Sequence, residues 1–161
     1  MSGFKKIIVC GPAGSGKTSL IRTISGYSNN TESESSGIQV WRMAKEIDPQ
    51  VNQWIFRDHA GATLSNNTPF SYFLATHIAL YIIDLSNSLS FVGIEDELNW
   101  LKTKMPDARV LLIATKSDLI SAGEAEMISN ILPVKPNFIC SSIQEGGTNP
   151  LWNHLLDTLR S

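Results

Sequence analysis

The eight residues GPAGSGKT, Gly11 to Thr18, satisfy the spacing G-x-x-x-x-G-K-[ST] at every fixed position. Residues of these types at this spacing suit one task, which is holding a chain of phosphates. Glycines let the backbone wrap closely around an anion with its N–H groups aimed inward. The apolar run KIIVC precedes the loop and the helix-like GKTSLIRTIS follows it, so the positive N-terminal end of a helix meets the same anion. Lys17 is expected to reach the β- and γ-phosphates, and the Thr18 hydroxyl to bind Mg²⁺. Ala13, Gly14, Ser15, Gly16 and Ser19 complete the cradle. The alternative, an incidental glycine-rich turn, does not account for both flanks.

A second group of residues bears on the base. ATKSD, Ala114 to Asp118, follows directly on the apolar run VLLIA. In a doubly wound sheet ligands lie beyond the carboxyl ends of the strands, so Asp118 faces the same crevice as the phosphate loop. A carboxylate there accepts two N–H donors from guanine, a pair adenine lacks. Thr115 is expected beside the ligand, with the aliphatic stem of Lys116 laid along the base. ICSSIQEGG supplies Ser141 and Ser142 just past another apolar run, where a backbone N–H could meet the guanine O6. A polar loop leading into the last helix explains that segment nearly as well.

These residues need a scaffold that delivers them to one edge. KIIVC, IALYIID, VLLIAT and NFICS are strand-length and apolar on successive residues, as strands buried on both faces of a parallel sheet are. Between them GKTSLIRTIS, SFVGIEDELNWLKTKM, GEAEMISNIL and NPLWNHLLDTLR carry helical periodicity, the last with Pro150 in its first turn. GIQVWRMAKEI and VNQWIFRD, joined at Asp48-Pro49, read instead as two extended segments around a turn. The expected fold is α/β: a doubly wound, mostly parallel P-loop sheet with one antiparallel edge strand and helices on both faces. Residues 1–161 read as a single domain, with Ser25 to Gly37 the one low-complexity polar stretch.

Composition narrows the function classes. A formal net charge of -2 gives no general surface for nucleic acid. Of 161 residues, 42% are hydrophobic and 17% charged, ordinary for a soluble globular chain. No apolar run reaches the ~18 residues of a membrane span, and no acylation or prenylation signal occurs, so no direct membrane anchor is expected in this chain. Cys10 and Cys140 sit in apolar runs and read as small core residues. A cytoplasmic, reducing location is the expectation.

Taken in order, these motifs resemble those of a small GTPase of the Ras superfamily over essentially the whole chain. GPAGSGKT matches its phosphate loop, DHAG its D-x-x-G element, and TKSD its N-K-x-D element in a Thr-for-Asn form. IIDLSNSLSF, then ELNWL and VLLIATKSDL, share the family's texture between its third and fourth guanine motifs. The Ser-Gly-Ile junction and the hydrophobic second strand resemble Rab-like and Roc-type G domains alike. A guanine-nucleotide switch is therefore expected, binding GTP or GDP with Mg²⁺ and engaging an effector, an exchange factor and an activating protein. The resemblance gives Asp58 a magnesium-bound water to hold and Gly61 an N–H for the γ-phosphate, with Lys17 and Gly61 as the residues acting on the reacting group. A threonine of the mobile segment normally binds the metal. Ser35, in Ser35-Ser36-Gly37-Ile38, stands closest to it, with Ser36 and Thr31 as alternatives.

One departure bears on turnover. Most Ras-like members carry glutamine after the D-x-x-G glycine to orient water, and this chain has Ala62. A methyl group forms no hydrogen bond, so intrinsic hydrolysis is expected at or below ~10⁻⁴ s⁻¹. His59, Thr63 and Asn66 are substitutes with nothing specific behind them. Arg57 lies within the strand and should point away from Asp58, leaving any arginine finger to a partner. Trp41, Trp54, Phe70, Tyr72 and Phe73 fall on or beside the two switch-like regions, as effector contacts or as core. Two other readings stay open: a GTP-holding docking module without turnover, and a small P-loop kinase. The kinase would need a lid rich in arginine, whereas Arg22, Arg42, Arg57, Arg109 and Arg160 are scattered singly.

Overall fold

A computed structural model describes residues 3–25, 31–33, 38–43, 51–59, 68–143 and 149–160. Their strands form one sheet in the order β2-β3-β4-β1-β5-β6-β7. β1 (Gly3–Cys10) lies between β4 (Val51–His59) and β5 (Ile78–Asp84), parallel to both. Outward from β5, β6 (Arg109–Thr115) and β7 (Phe138–Ile139) continue in parallel. On the other side β3 (Ile38–Met43) runs antiparallel to β4, as its turn-linked sequence predicts. β2 (Thr31–Ser33) pairs antiparallel outside it, giving the low-complexity stretch a short strand that the sequence reading did not assign.

Alternation along the central strands explains why they are apolar at every position. Ile7 and Val9 of β1, Ile78, Leu80 and Ile82 of β5, and Leu111 and Ile113 of β6 face one side. There they meet Leu20, Ile21 and Ile24 of α1 (Lys17–Ser25) and Leu151, Leu155 and Leu156 of α5 (Asn149–Arg160). The intervening residues Ile8, Cys10, Ala79, Tyr81, Ile83, Leu112 and Ala114 face the other side. Those pack on Ile94, Leu98, Leu101 and Met105 of α3 (Ile94–Lys104) and its C-cap, and on Tyr72 and Phe73 of α2 (Phe70–Phe73). Burial pushes both thiols, Cys10 and Cys140, up to about 12, consistent with their reading as core residues.

α3 begins later than its sequence periodicity suggests. Gly93 is left-handed at φ 74° and Val92 is extended, so Ser88–Phe91 close a separate 3-10 turn before the helix. α4 (Ala122–Ile131) starts in a reciprocal cap: Ser121 Oγ accepts from Glu124 N–H, and the Glu124 carboxylate accepts from Ser121 N–H. Past α2, the buried Lys6 donates from Nζ to the carbonyls of Tyr72 and Leu74, at 2.5 and 2.7 Å, and so caps that short helix from β1. Among the described residues no helix is long and apolar enough to cross a membrane.

Candidate nucleotide site

The parallel strands point their carboxyl ends at one edge. There the loop from Gly11 to Gly16 leaves β1, Asp58 stands near the end of β4 in register with Val9, and Asp84 closes β5 in register with Thr115. The phosphate-loop glycines take backbone angles that other residues rarely adopt, φ 137° at Gly11, 75° at Gly14 and 90° at Gly16. Gly11 is also pressed against the sheet: a Cβ there would lie 2.2 Å from the Ile82 carbonyl oxygen.

Within the loop, Lys17 is only 5% exposed and donates from Nζ to the carbonyls of Gly11 and Pro12, each at 2.8 Å. Burial pulls its pKa below the usual lysine value, and the Asp58 charge offsets part of that. An anion lying along the loop would relieve the same desolvation. Ser15 Oγ is buried there and has no hydrogen-bond partner among the described residues, so the loop also holds an unsatisfied polar group. Thr18 Oγ1 donates to Asp58 Oδ2 at 2.6 Å, with Asp58 fully buried. A hydroxyl and a carboxylate are hard oxygen donors of the kind Mg²⁺ takes, so this pair fits the expected ion.

The residues expected beside the base converge on this loop. Thr115 Oγ1 lies 2.6 Å from the Ser15 carbonyl, to which it donates, and 3.0 Å from the Ile83 carbonyl, which shares the same proton. Lys116, itself left-handed at φ 60°, donates from Nζ to the Gly14 carbonyl at 2.8 Å. Asp118 follows in a 3-10 turn, Ser117–Leu119, and its Oδ1 accepts from Ser141 Oγ at 2.6 Å. Between these segments lies a cavity of about 230 Å³. Gly16 and Ser19 line it from the phosphate side, Thr115, Lys116 and Asp118 from β6 and its turn, and Ser142 from the segment past β7. Thr23 Oγ1 donates to the Ser142 carbonyl, tying α1 to that last segment.

The sequence-predicted residues Gly11 to Ser19, Asp58, Thr115, Lys116, Asp118, Ser141 and Ser142 thus come to one crevice. Ser35, Ser36, Gly61, Ala62, Thr63 and Asn66 lie outside the described residues, whereas Thr31 stands in β2. The Arg57 guanidinium turns away from the crevice, as strand alternation requires, and lies 5.4 Å from the centre of the Tyr72 ring. Tyr72 and Phe73 are core, and Phe70 is 69% exposed.

Three residues of the crevice went unassigned in the sequence. Leu119 and Ile143 line the same cavity with apolar surface and are otherwise exposed. Asp84 forms an ion pair with Lys116, Oδ2 to Nζ 2.9 Å. Its position at the end of IALYIID was the available signal, by the same strand-end rule that singled out Asp118.

A comparison with curated proteins found no match. Against protein-family models, residues 6–118 match the family described as Ras of Complex, Roc, domain of DAPkinase. That match runs from β1 through the turn carrying Asp118 and stops short of Ser141 and Ser142. With well over half of its length matched, the chain belongs to the Roc family and is a GTP-binding domain of the Ras superfamily.

Proposed function

We propose that this chain is a molecular switch that binds GTP or GDP with Mg²⁺ and hydrolyses GTP slowly, with a partner supplying what its own sequence lacks. The observation that carries this reading is the pair of contacts from Thr115 to Ser15 and from Lys116 to Gly14. They join the segment suited to guanine to the loop suited to phosphate, as one ligand bearing both groups requires.

In this reading Gly11 to Ser19 bind the phosphates and Lys17 offsets their charge. Thr18 and Asp58 hold the metal side, joined by Ser35 when the nucleotide is a triphosphate. Bound Mg²⁺ supplies charge neutralisation between the phosphates. Gly61 senses the γ-phosphate through its N–H, and loss of that contact releases the switch. Asp118 accepts the two guanine donors, Lys116 and Thr115 bound the base, and Ser141 and Ser142 close its far edge. Ala62 cannot orient water, so an activating protein contributes that group, while an exchange factor and an effector act on the two states.

Single-turnover hydrolysis by the purified chain with Mg²⁺ tests the enzymatic part. GDP forming at or below ~10⁻⁴ s⁻¹, with ATP neither bound nor cut, is the expected result. GTP that stays intact for days while bound would replace the enzyme by a GTP-holding docking module.

A further inference from the structure

We propose that Asp84 controls how long the nucleotide remains bound, as a positioning residue that acts through Lys116. This inference rests on the nucleotide-binding reading of the same crevice. Asp84 lies at the carboxyl end of β5, with its side chain 7% exposed. Its Oδ1 accepts from Ser86 N–H at 2.8 Å and from Ser86 Oγ at 2.6 Å. That leaves Oδ2 facing Lys116 Nζ at 2.9 Å, and the same ammonium donates to the Gly14 carbonyl at 2.8 Å. One cation therefore ties three segments at this edge: the end of β5, the phosphate loop and the turn after β6.

The cation needs that support. Lys116 is the residue at which the chain turns out of β6, in a left-handed conformation costly for any side chain with a Cβ. About a third of its side chain is in solvent, 35%, and a lysine stem of four rotatable carbons keeps a fixed geometry only when its end is held. Among the described residues Lys116 lines the base cavity and Asp84 does not, so the contact from Asp84 to that cavity runs through its partner. Burial would raise the Asp84 pKa, but the hydrogen bonds from Ser86 and the Lys116 contact outweigh it and leave the carboxyl below its usual range. The carboxylate is thus ionised at neutral pH. When the ion pair opens, the ammonium loses the anchor that holds it on the Gly14 carbonyl, and with that bond released the base-side turn keeps only Thr115 as a side-chain link to the phosphate loop.

Asp84→Asn is the discriminating change. An amide keeps the shape, but its oxygen can serve either Ser86 or Lys116. The other partner then meets an NH₂ group, donor against donor. The measurement is release of fluorescently labelled GDP chased by excess unlabelled GDP, from the wild type, Asp84→Asn, Lys116→Met and the double variant. Each single change is expected to speed release roughly tenfold, the scale of one partly exposed hydrogen bond between charged groups. Association should stay within about twofold of wild type, because the tether acts on the closed complex. The double variant should release GDP no faster than Lys116→Met alone, because both changes remove the same contact.

Release from Asp84→Asn at the wild-type rate, or effects that multiply in the double variant, would overturn the positioning role while leaving the nucleotide reading intact. A wild type that binds no guanine nucleotide would overturn both. If circular dichroism shows Asp84→Asn unfolded, Ser86→Ala carries the same test by removing one bond that orients the carboxylate. A roughly threefold acceleration is then expected, and none would overturn the proposal.

Discussion

At the phosphate end of the crevice Lys17 is 5% exposed and bonds two backbone carbonyls, whereas at the base end Lys116 keeps 35% of its side chain in solvent and bonds one carbonyl and one carboxylate. The phosphate loop is shaped by glycine dihedrals and by the pressure of Gly11 on β5. The base side is held by side-chain contacts at turns and strand ends, Ser141 on Asp118 and Asp84 on Lys116, with Leu119 and Ile143 open to solvent. On the proposed reading, affinity for the triphosphate is built into the backbone beside the core. On the same reading, discrimination among bases rests on side chains, of which Lys116 also reaches the loop through the Gly14 carbonyl.

The largest effect expected from this difference is structural. Gly11→Ala combines a left-handed φ with a Cβ 2.2 Å from a backbone oxygen of the neighbouring strand, and should cost about 3 kcal/mol or more, measured by denaturant unfolding. A variant as stable as wild type would mean that the loop is not pinned by the sheet. Next, Lys17→Ala should weaken GTP binding by about 3 kcal/mol or more, roughly 150-fold, in calorimetric titration. Retained affinity would erase the contrast between the two ends.

At the base end the effects shrink. Ser141→Ala removes the 2.6 Å hydrogen bond that orients Asp118 and should weaken GDP about tenfold. The preference for guanine over adenine should fall with it, seen in competition binding. An equal loss for GDP and ADP would place Ser141 in general stability rather than in base reading. Smallest of all, Ser121→Ala breaks the α4 cap and should cost about 1 kcal/mol of folding stability. Nucleotide affinity should not change, since neither Ser121 nor Glu124 lines the cavity.

The same contrast governs what could be read from the sequence. The phosphate loop was legible because its chemistry is local: glycine spacing, one lysine and one hydroxyl, between a strand and a helix. The central strands were legible because a parallel sheet buries both faces, leaving unbroken apolar runs such as IALYIID. β2 was not, since Thr-Glu-Ser has no strand pattern of its own and pairs only because β3 presents an open edge. The helical periodicity of SFVGIEDELNWL concealed the break at Gly93, which depends on a backbone angle rather than on side-chain pattern. Asp84 escaped for a third reason. Its partner lies 32 positions away, and only the pairing of β5 with β6 brings Asp84 level with Thr115 and its side chain to Lys116.

Central to the proposed switch is the reading of guanine by Asp118 at the carboxyl end of β6. Competition among GDP, ADP and xanthosine diphosphate, for the wild type and for Asp118→Asn, tests it most directly. The wild type should prefer GDP to ADP by at least about 100-fold, and Asp118→Asn should move that preference towards xanthosine diphosphate by reversing a donor–acceptor pair. A wild type indifferent to the base, or a variant that still selects GDP, would contradict it.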